Sequence, residues 1–190
     1  MRSIQFIKWL FLVAFFGLLS TLSACGQSDK TEKKTTDMSQ KIEKGDALPL
    51  FTLKDQNNED FDMVSVIGKQ NVVVYFYPKD DTPGCTKEAC KFRDEFEDFK
   101  DANAVVIGIS ADSPESHKKF AKKYNLPFIL LSDPGNKVRK QFGVPGNLFG
   151  LIPGRVTYIA NKEGVVQHVF NSQTNAEQHV SESKKILESL

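Results

Sequence analysis

Apolar and polar positions fall into a regular pattern only from about residue 42 onward. Residues 50–54 and 59–63 flank Asp55-Gln56-Asn57-Asn58, and two short runs about a polar turn predict a β-hairpin. Residues 71–77 (NVVVYFY) form an unbroken β-branched and aromatic run, the pattern of a strand buried on both faces, and Pro78 stops it. Thr82-Pro83-Gly84 then opens a helix predicted from Cys85 to about Lys100. Along it Ala89, Phe92, Phe96 and Phe99 recur at three- and four-residue spacings as one apolar stripe. Residues 104–110 (AVVIGIS) predict a second buried strand, and Ser113-Pro114-Glu115 starts a helix that runs to Tyr124. A third strand is predicted over 128–131 and a short helix over 136–142. Residues 156–160 and 165–170 make a hairpin about 161–164, and 175–190 close the chain as an amphipathic helix. Strands alternating with helices, with a hairpin at each end, predict an α/β fold in which a central mixed β-sheet is flanked by helices. No internal repeat interrupts this order.

The segment before residue 42 differs in kind. Arg2 and Lys8 precede the apolar run 9–19, which is shorter than the roughly 20 residues a membrane-spanning helix needs. A basic start, a short apolar run and small residues read as a secretory signal peptide. Leu22-Ser23-Ala24-Cys25 resembles a bacterial lipobox, in which the cysteine is acylated and begins the mature chain. Residues 1–24 are therefore expected to be a lipoprotein signal peptide. Cys25 is the expected lipidation site, holding the protein on a membrane without spanning it. Residues 25–41 are polar and lack aromatics, as a flexible tether would. The expected location is the bacterial cell envelope, and residues 42–190 are the expected folded domain.

Composition adds limits. With 190 residues, 40% hydrophobic and 26% charged, the chain supports one ordinary domain plus appendages, and its net charge of +1 offers no footprint for nucleic acid. Three cysteines are too few for a disulfide framework, so each needs its own explanation.

The chemistry concentrates in residues 77–86. Cys85 follows a buried strand and lies in a first helical turn, where unpaired backbone N–H groups and the helix dipole favour an anion and so the thiolate, the nucleophile that can cleave a peroxide O–O bond. The alternative is a structural cysteine acting as a small hydrophobe; the Pro-Gly pair and the charged neighbours describe a surface turn instead. Cys90 lies five residues on. Helix geometry sets its Cα about 8.7 Å from that of Cys85, beyond the roughly 7 Å a disulfide spans. If the two act together, the helix must open locally. The hydroxyl of Thr82 can donate to and accept from a bound peroxide. Arg155 could hold both thiolate and peroxide, although residue type alone does not distinguish it from the other arginines.

Pro78-x3-Thr82-x2-Cys85 is similar to the P-x-x-x-T-x-x-C signature of peroxiredoxins. The longer run YFYPKDDTPGCTKEAC, with its second cysteine, resembles the bacterioferritin-comigratory-protein or Q-type subfamily. Residues 144–150, 153–158 and 164–167 carry the likeness toward the C-terminus. The resemblance implies a thioredoxin-like fold, which the element order fits, and a thioredoxin-dependent peroxidase acting on hydrogen peroxide and organic hydroperoxides. It implies that Cys85 is peroxidatic and Cys90 resolving, joined as an intramolecular disulfide, that Thr82 and Arg155 bind the peroxide, and that Pro78 shields the sulfur. It implies no metal, haem or flavin, and a monomer. An envelope location would put cytosolic thioredoxin out of reach, so a membrane-delivered thioredoxin-like reductant is expected there.

Two other readings use the same fold. A metallochaperone would need two thiols four apart and a histidine near a strand end, but His117 and His179 sit in predicted polar helices and His168 alternates within a strand, so all three are expected to face solvent. A thiol-disulfide reductase would need Cys-x-x-Cys, which is absent.

Overall fold

The computed structural model describes residues 41–147 and 152–190. The segments expected to be the signal peptide (1–24), the Cys25 lipidation site and the tether to residue 40 lie outside the described residues.

The hairpin comes first along the chain: β1 (Thr52–Asp55) pairs antiparallel with β2 (Asp60–Asp62), and the Asp55 side chain accepts from the Asn57 and Glu59 amides to shape the turn. Next come β3 (Asn71–Phe76), α1 (Pro83–Asp94), α2 (Phe96–Asp101), β4 (Ala104–Ser110), α3 (Pro114–Tyr124), β5 (Ile129–Ser132) and α4 (Lys137–Gln141). A two-residue pair, β6 (Gly146–Asn147) with β7 (Ile152–Pro153), precedes β8 (Val156–Ala160), β9 (Val166–Asn171) and α5 (Gln178–Leu187). The main sheet has seven strands in the order β2-β1-β5-β4-β3-β8-β9. The contacts β3–β4 and β4–β5 are parallel and the others antiparallel, so the sheet is mixed as predicted.

Period-two alternation divides β3 between two cores. Val72, Val74 and Phe76 face a layer with Phe51, Met63 and Phe142. Val73, Tyr75 and the following Tyr77 face the other, with Cys85, Ala89 and Phe92 of α1, Phe99 of α2, Phe120 of α3 and Val180 of α5. Tyr75 stacks on Phe92 (centroids 4.7 Å apart), which meets Phe99 in a tilted contact (5.4 Å), and these rings seat α1 and α2 on the sheet.

Two expectations need correction. The single helix predicted from Cys85 to about Lys100 is two helices, broken at Glu95, whose φ of −107° and ψ of 17° leave the helical region. Glu95 is held there by Lys91 and Lys184. His117 and His179 do not face solvent but are fully buried. Each lies on the inner face of its helix and has polar partners for both ring nitrogens.

Candidate active site

The loop from Tyr77 to Thr82 carries the chain from the end of β3 into α1. Pro78, with no N–H to offer a further ladder bond, is half-buried where the strand stops. Asp81 takes a left-handed conformation (φ 58°), and Thr82 is extended at the N-cap. The first helical bond runs from Thr86 N to Thr82 O at 2.8 Å. Pro83 has no N–H, and the N–H groups of Gly84 and Cys85 have no acceptor within the helix, as at any first turn. The Thr82 side chain does not cap the helix; its hydroxyl donates to the Lys79 carbonyl at 3.0 Å.

Cys85 is 3% exposed, so the turn is at the surface while the thiol is tucked beneath it. Arg155, at the head of β8 and equally buried, donates from Nη2 to Cys85 Sγ at 3.3 Å. A Cβ on Gly84 would lie 3.2 Å from that same Nη2, so the glycine leaves room for the guanidinium. The Nη1 end donates to Glu88 Oε2, and Nε donates to the Gln173 carbonyl at 3.4 Å. One guanidinium thus bridges a thiol and a carboxyl, which its fork geometry allows and a lysine's single point of charge would not.

Glu88 was not anticipated. It is completely buried one helical turn beyond Cys85, and burial pushes its carboxyl up to about 8 against the pull of Arg155. Among the described residues its Oε1 has no hydrogen-bond partner, with His179 Nδ1 3.7 Å away. His179 Nε2 donates to the Ser172 carbonyl at 2.9 Å, which leaves Nδ1 to accept from the Thr157 hydroxyl at 2.7 Å. Burial, helped by nearby Arg155, lowers this ring to about 4, so it is neutral at pH 7. The sequence did contain a signal for Glu88: Cys85, Glu88, Ala89 and Phe92 are spaced i, i+3, i+4, i+7, which puts an acid on the buried stripe.

Arg139 is a second functional side chain that sequence reasoning missed. Nearly buried, it donates to the carbonyls of Tyr77 (2.9 Å) and Gly154 (2.8 Å). These carbonyls adjoin Pro78 and Arg155, so one guanidinium holds the two loops that face Cys85. Burial lowers its pKa to about 10, opposed by Asp133, Tyr158 and Cys85, and it stays charged at pH 7.

The structure therefore brings Cys85, Arg155 and Glu88 into contact, with Thr82 at the start of the same turn. Cys90 is half-buried further along α1, and both cysteines are free thiols. A buried thiol beside a helix N-terminus and a fixed guanidinium can act as an anionic nucleophile on a substrate that needs its leaving oxygen stabilised. Among the described residues no group of three or more His, Cys, Asp or Glu side chains could hold a metal ion.

Comparison with known proteins agrees with this chemistry. The AhpC/TSA family model matches residues 44–169. A chloroplastic peroxiredoxin Q from Sedum lineare is 53% identical over 93% of this chain and 94% of its own length; one from Populus jackii is 52% identical over 93% and 82%. Among solved structures, the peroxidoxin BcpB of Mycobacterium tuberculosis superposes with a TM-score of 0.73 at 34% identity, covering 78% of this chain and 98% of its own. A PrxQ mutant from Xylella fastidiosa gives 0.72 at 27%, covering 79% and 98%. The expected location in a bacterial envelope is corrected by the same relatives. Those more than half identical are chloroplastic plant proteins, not envelope lipoproteins. A basic, apolar leader is a generic targeting composition, and the lipid-anchor expectation rested on the run Leu22-Ser23-Ala24-Cys25 at its end.

Proposed function

This chain belongs to the AhpC/TSA family, as a thiol peroxidase of the peroxiredoxin Q type with the thioredoxin-like fold, and from that premise we propose which of its residues perform the reaction. Residues 42–190 form the catalytic domain, and Cys85 is the peroxidatic thiol. The observation that carries this assignment is the Arg155 Nη2 contact to Cys85 Sγ at 3.3 Å in the first turn of α1.

In the reaction the Cys85 thiolate attacks one oxygen of the hydroperoxide. The S–O bond forms as the O–O bond breaks, and the departing alkoxide or hydroxide takes a proton to leave as alcohol or water. Arg155 donates to the oxygens as charge develops, and the Thr82 oxygen accepts from the peroxide O–H. Pro78 limits water's approach to the sulfur. Cys85 is left as a sulfenic acid. The Cys90 thiolate then attacks that sulfur, hydroxide leaves and is protonated to water, and a Cys85–Cys90 disulfide forms. A thioredoxin-type dithiol reduces the disulfide, restoring both thiols and becoming a disulfide itself.

Five residues of intact helix hold the two Cα atoms about 8.7 Å apart, so α1 unwinds between the two chemical steps. Both cysteines lie on one helix, which supports a monomer as the working unit. Mass spectrometry of peroxide-treated protein tests the assignment. A peptide carrying the Cys85–Cys90 link is expected, and an oxidised protein without that link removes Cys90 from the resolving role.

A further inference from the structure

Beside the Cys85–Arg155 contact the fold buries a second polar cluster that the chemistry above does not use. His117, fully buried on α3, sets Nε2 3.2 Å from the Leu131 carbonyl and Nδ1 2.9 Å from Asp80 Oδ2. Asp80, 7% exposed, also accepts from the Tyr77 hydroxyl (2.7 Å) and the Ser116 hydroxyl (2.7 Å). Burial alone would raise its carboxyl, but the bonds from His117, Ser116 and Tyr77 outweigh it and hold the group below its usual range. The Asp80 amide is pinned separately, donating at 2.9 Å to Asp112 Oδ2, which also takes the Ser110 hydroxyl at 2.7 Å. Next along the chain, the exposed Asp81 carboxylate accepts from Lys123 (2.7 Å) and from the Tyr124 hydroxyl (2.6 Å), a second tie to α3.

The geometry has one consequence at the active site. The Asp80 N–H and the Lys79 carbonyl belong to the same planar peptide and point in opposite directions. Fixing Asp80 at both its amide and its carboxylate therefore fixes the Lys79 carbonyl, and that carbonyl takes the Thr82 hydroxyl proton at 3.0 Å. A hydroxyl has one proton and two lone pairs. With the proton committed to Lys79, Thr82 meets the substrate as an acceptor, matched to the O–H of a hydroperoxide.

We propose that His117 and Asp80 are positioning residues of the peroxidase reaction, acting through the Lys79–Asp80 peptide to set the direction of the Thr82 hydroxyl. This rests on Thr82 as the hydroxyl that binds the peroxide. His117 touches no substrate; it holds the group that holds Thr82.

The test uses the full chain in a Cys90→Ser background, so that a single oxidation of Cys85 by hydrogen peroxide is read. His117→Asn keeps a donor at the Nδ1 position facing Asp80, whereas His117→Gln keeps one at the Nε2 position facing Leu131. His117→Gln is expected to slow Cys85 oxidation roughly 3- to 10-fold, the scale of one misplaced hydrogen bond. His117→Asn is expected to stay within about twofold of the parent. Alkylation of Cys85 by iodoacetamide, which needs no Thr82, should change equally little in both. In a Thr82→Val background, itself slowed, His117→Gln should add nothing, because the group it positions is gone. Equal losses in the Asn and Gln variants, or effects of His117→Gln and Thr82→Val that multiply, overturn the proposal. A Thr82→Val variant as fast as the parent overturns the reading of Thr82, and this proposal with it. Should His117→Gln not fold, Ser116→Ala removes one donor to Asp80 from a half-buried position and enters the same comparison with Thr82→Val.

Discussion

Replacing Arg155 by methionine keeps most of the side chain's bulk and removes its charge and its donors. Arg155 is 3% exposed and donates to Cys85 Sγ at 3.3 Å, so little solvent lies between the groups to screen the loss. A hydrogen bond to a charged partner contributes about 1.5–3 kcal/mol. At 1.36 kcal/mol per tenfold, that is roughly a 10- to 150-fold fall in the second-order rate of Cys85 oxidation by hydrogen peroxide. Coulomb's law for unit charges at this separation gives about 5 kcal/mol at an effective dielectric of 20. That is a ceiling, because the unpaired N–H groups at the start of α1 still favour the thiolate once Arg155 is gone. Lysine at 155 restores the charge but cannot span Glu88 and Cys85 together, so an intermediate rate is expected. Rapid-mixing measurement of single oxidations, with Arg155→Met/Glu88→Gln as the variant that lacks the orphaned carboxyl, separates lost activation from lost packing. An Arg155→Met rate within threefold of the parent would refute the reasoning.

Other expectations follow from the same geometry. Cys90→Ser should consume about one equivalent of peroxide and then stall; steady turnover without an added small thiol would contradict its resolving role. Glu88, raised by burial from 4.5 to about 8, keeps a proton in the folded chain that the unfolded chain has released. Its contribution to stability therefore declines as pH rises from 4.5 to about 8 and levels off above, and Glu88→Gln should flatten that part of the urea-denaturation profile. Identical pH profiles for the two proteins would show that Glu88 does not titrate there. A Cβ at Gly154 would sit 2.1 Å from the Pro145 carbonyl oxygen, a backbone atom that cannot swing aside. Gly154→Ala should cost about 1–3 kcal/mol by overpacking, read as a melting temperature roughly 2–12 °C lower; an unchanged melting temperature would mean that the loop carrying Arg155 has slack.

The central strands were legible because both faces are buried: the runs at 71–77 and 104–110 became β3 and β4 to within a residue. The start of α1 was legible from Thr82-Pro83, since proline suits a first helical turn. The break at Glu95 was not. The stripe Ala89-Phe92-Phe96-Phe99 fits an unbroken helix, and Lys184, one of the two lysines paired with Glu95 at the break, lies far along the chain on α5. The site divides in the same way. Cys85 and Thr82 are local to one motif. Glu88 and His117 read as ordinary polar helix residues, because their burial is balanced by Arg155, 67 positions away, and by Asp80, 37 positions away. Their stripe positions were the available signal: His117 leads Phe120, Ala121 and Tyr124 at i+3, i+4 and i+7, just as Cys85 leads Glu88, Ala89 and Phe92. Polar residues on a buried stripe mark where a long-range partner must exist.

The most direct test of Cys85 as the reacting thiol is peroxide consumption by Cys85→Ser, assayed with excess thioredoxin and its reductase beside the parent protein. The substitution keeps the shape of the turn and exchanges the nucleophilic sulfur for a hydroxyl that stays protonated. Peroxide consumption should fall to the rate of the assay without the protein, and turnover of hydrogen peroxide at the parent's rate would contradict the assignment.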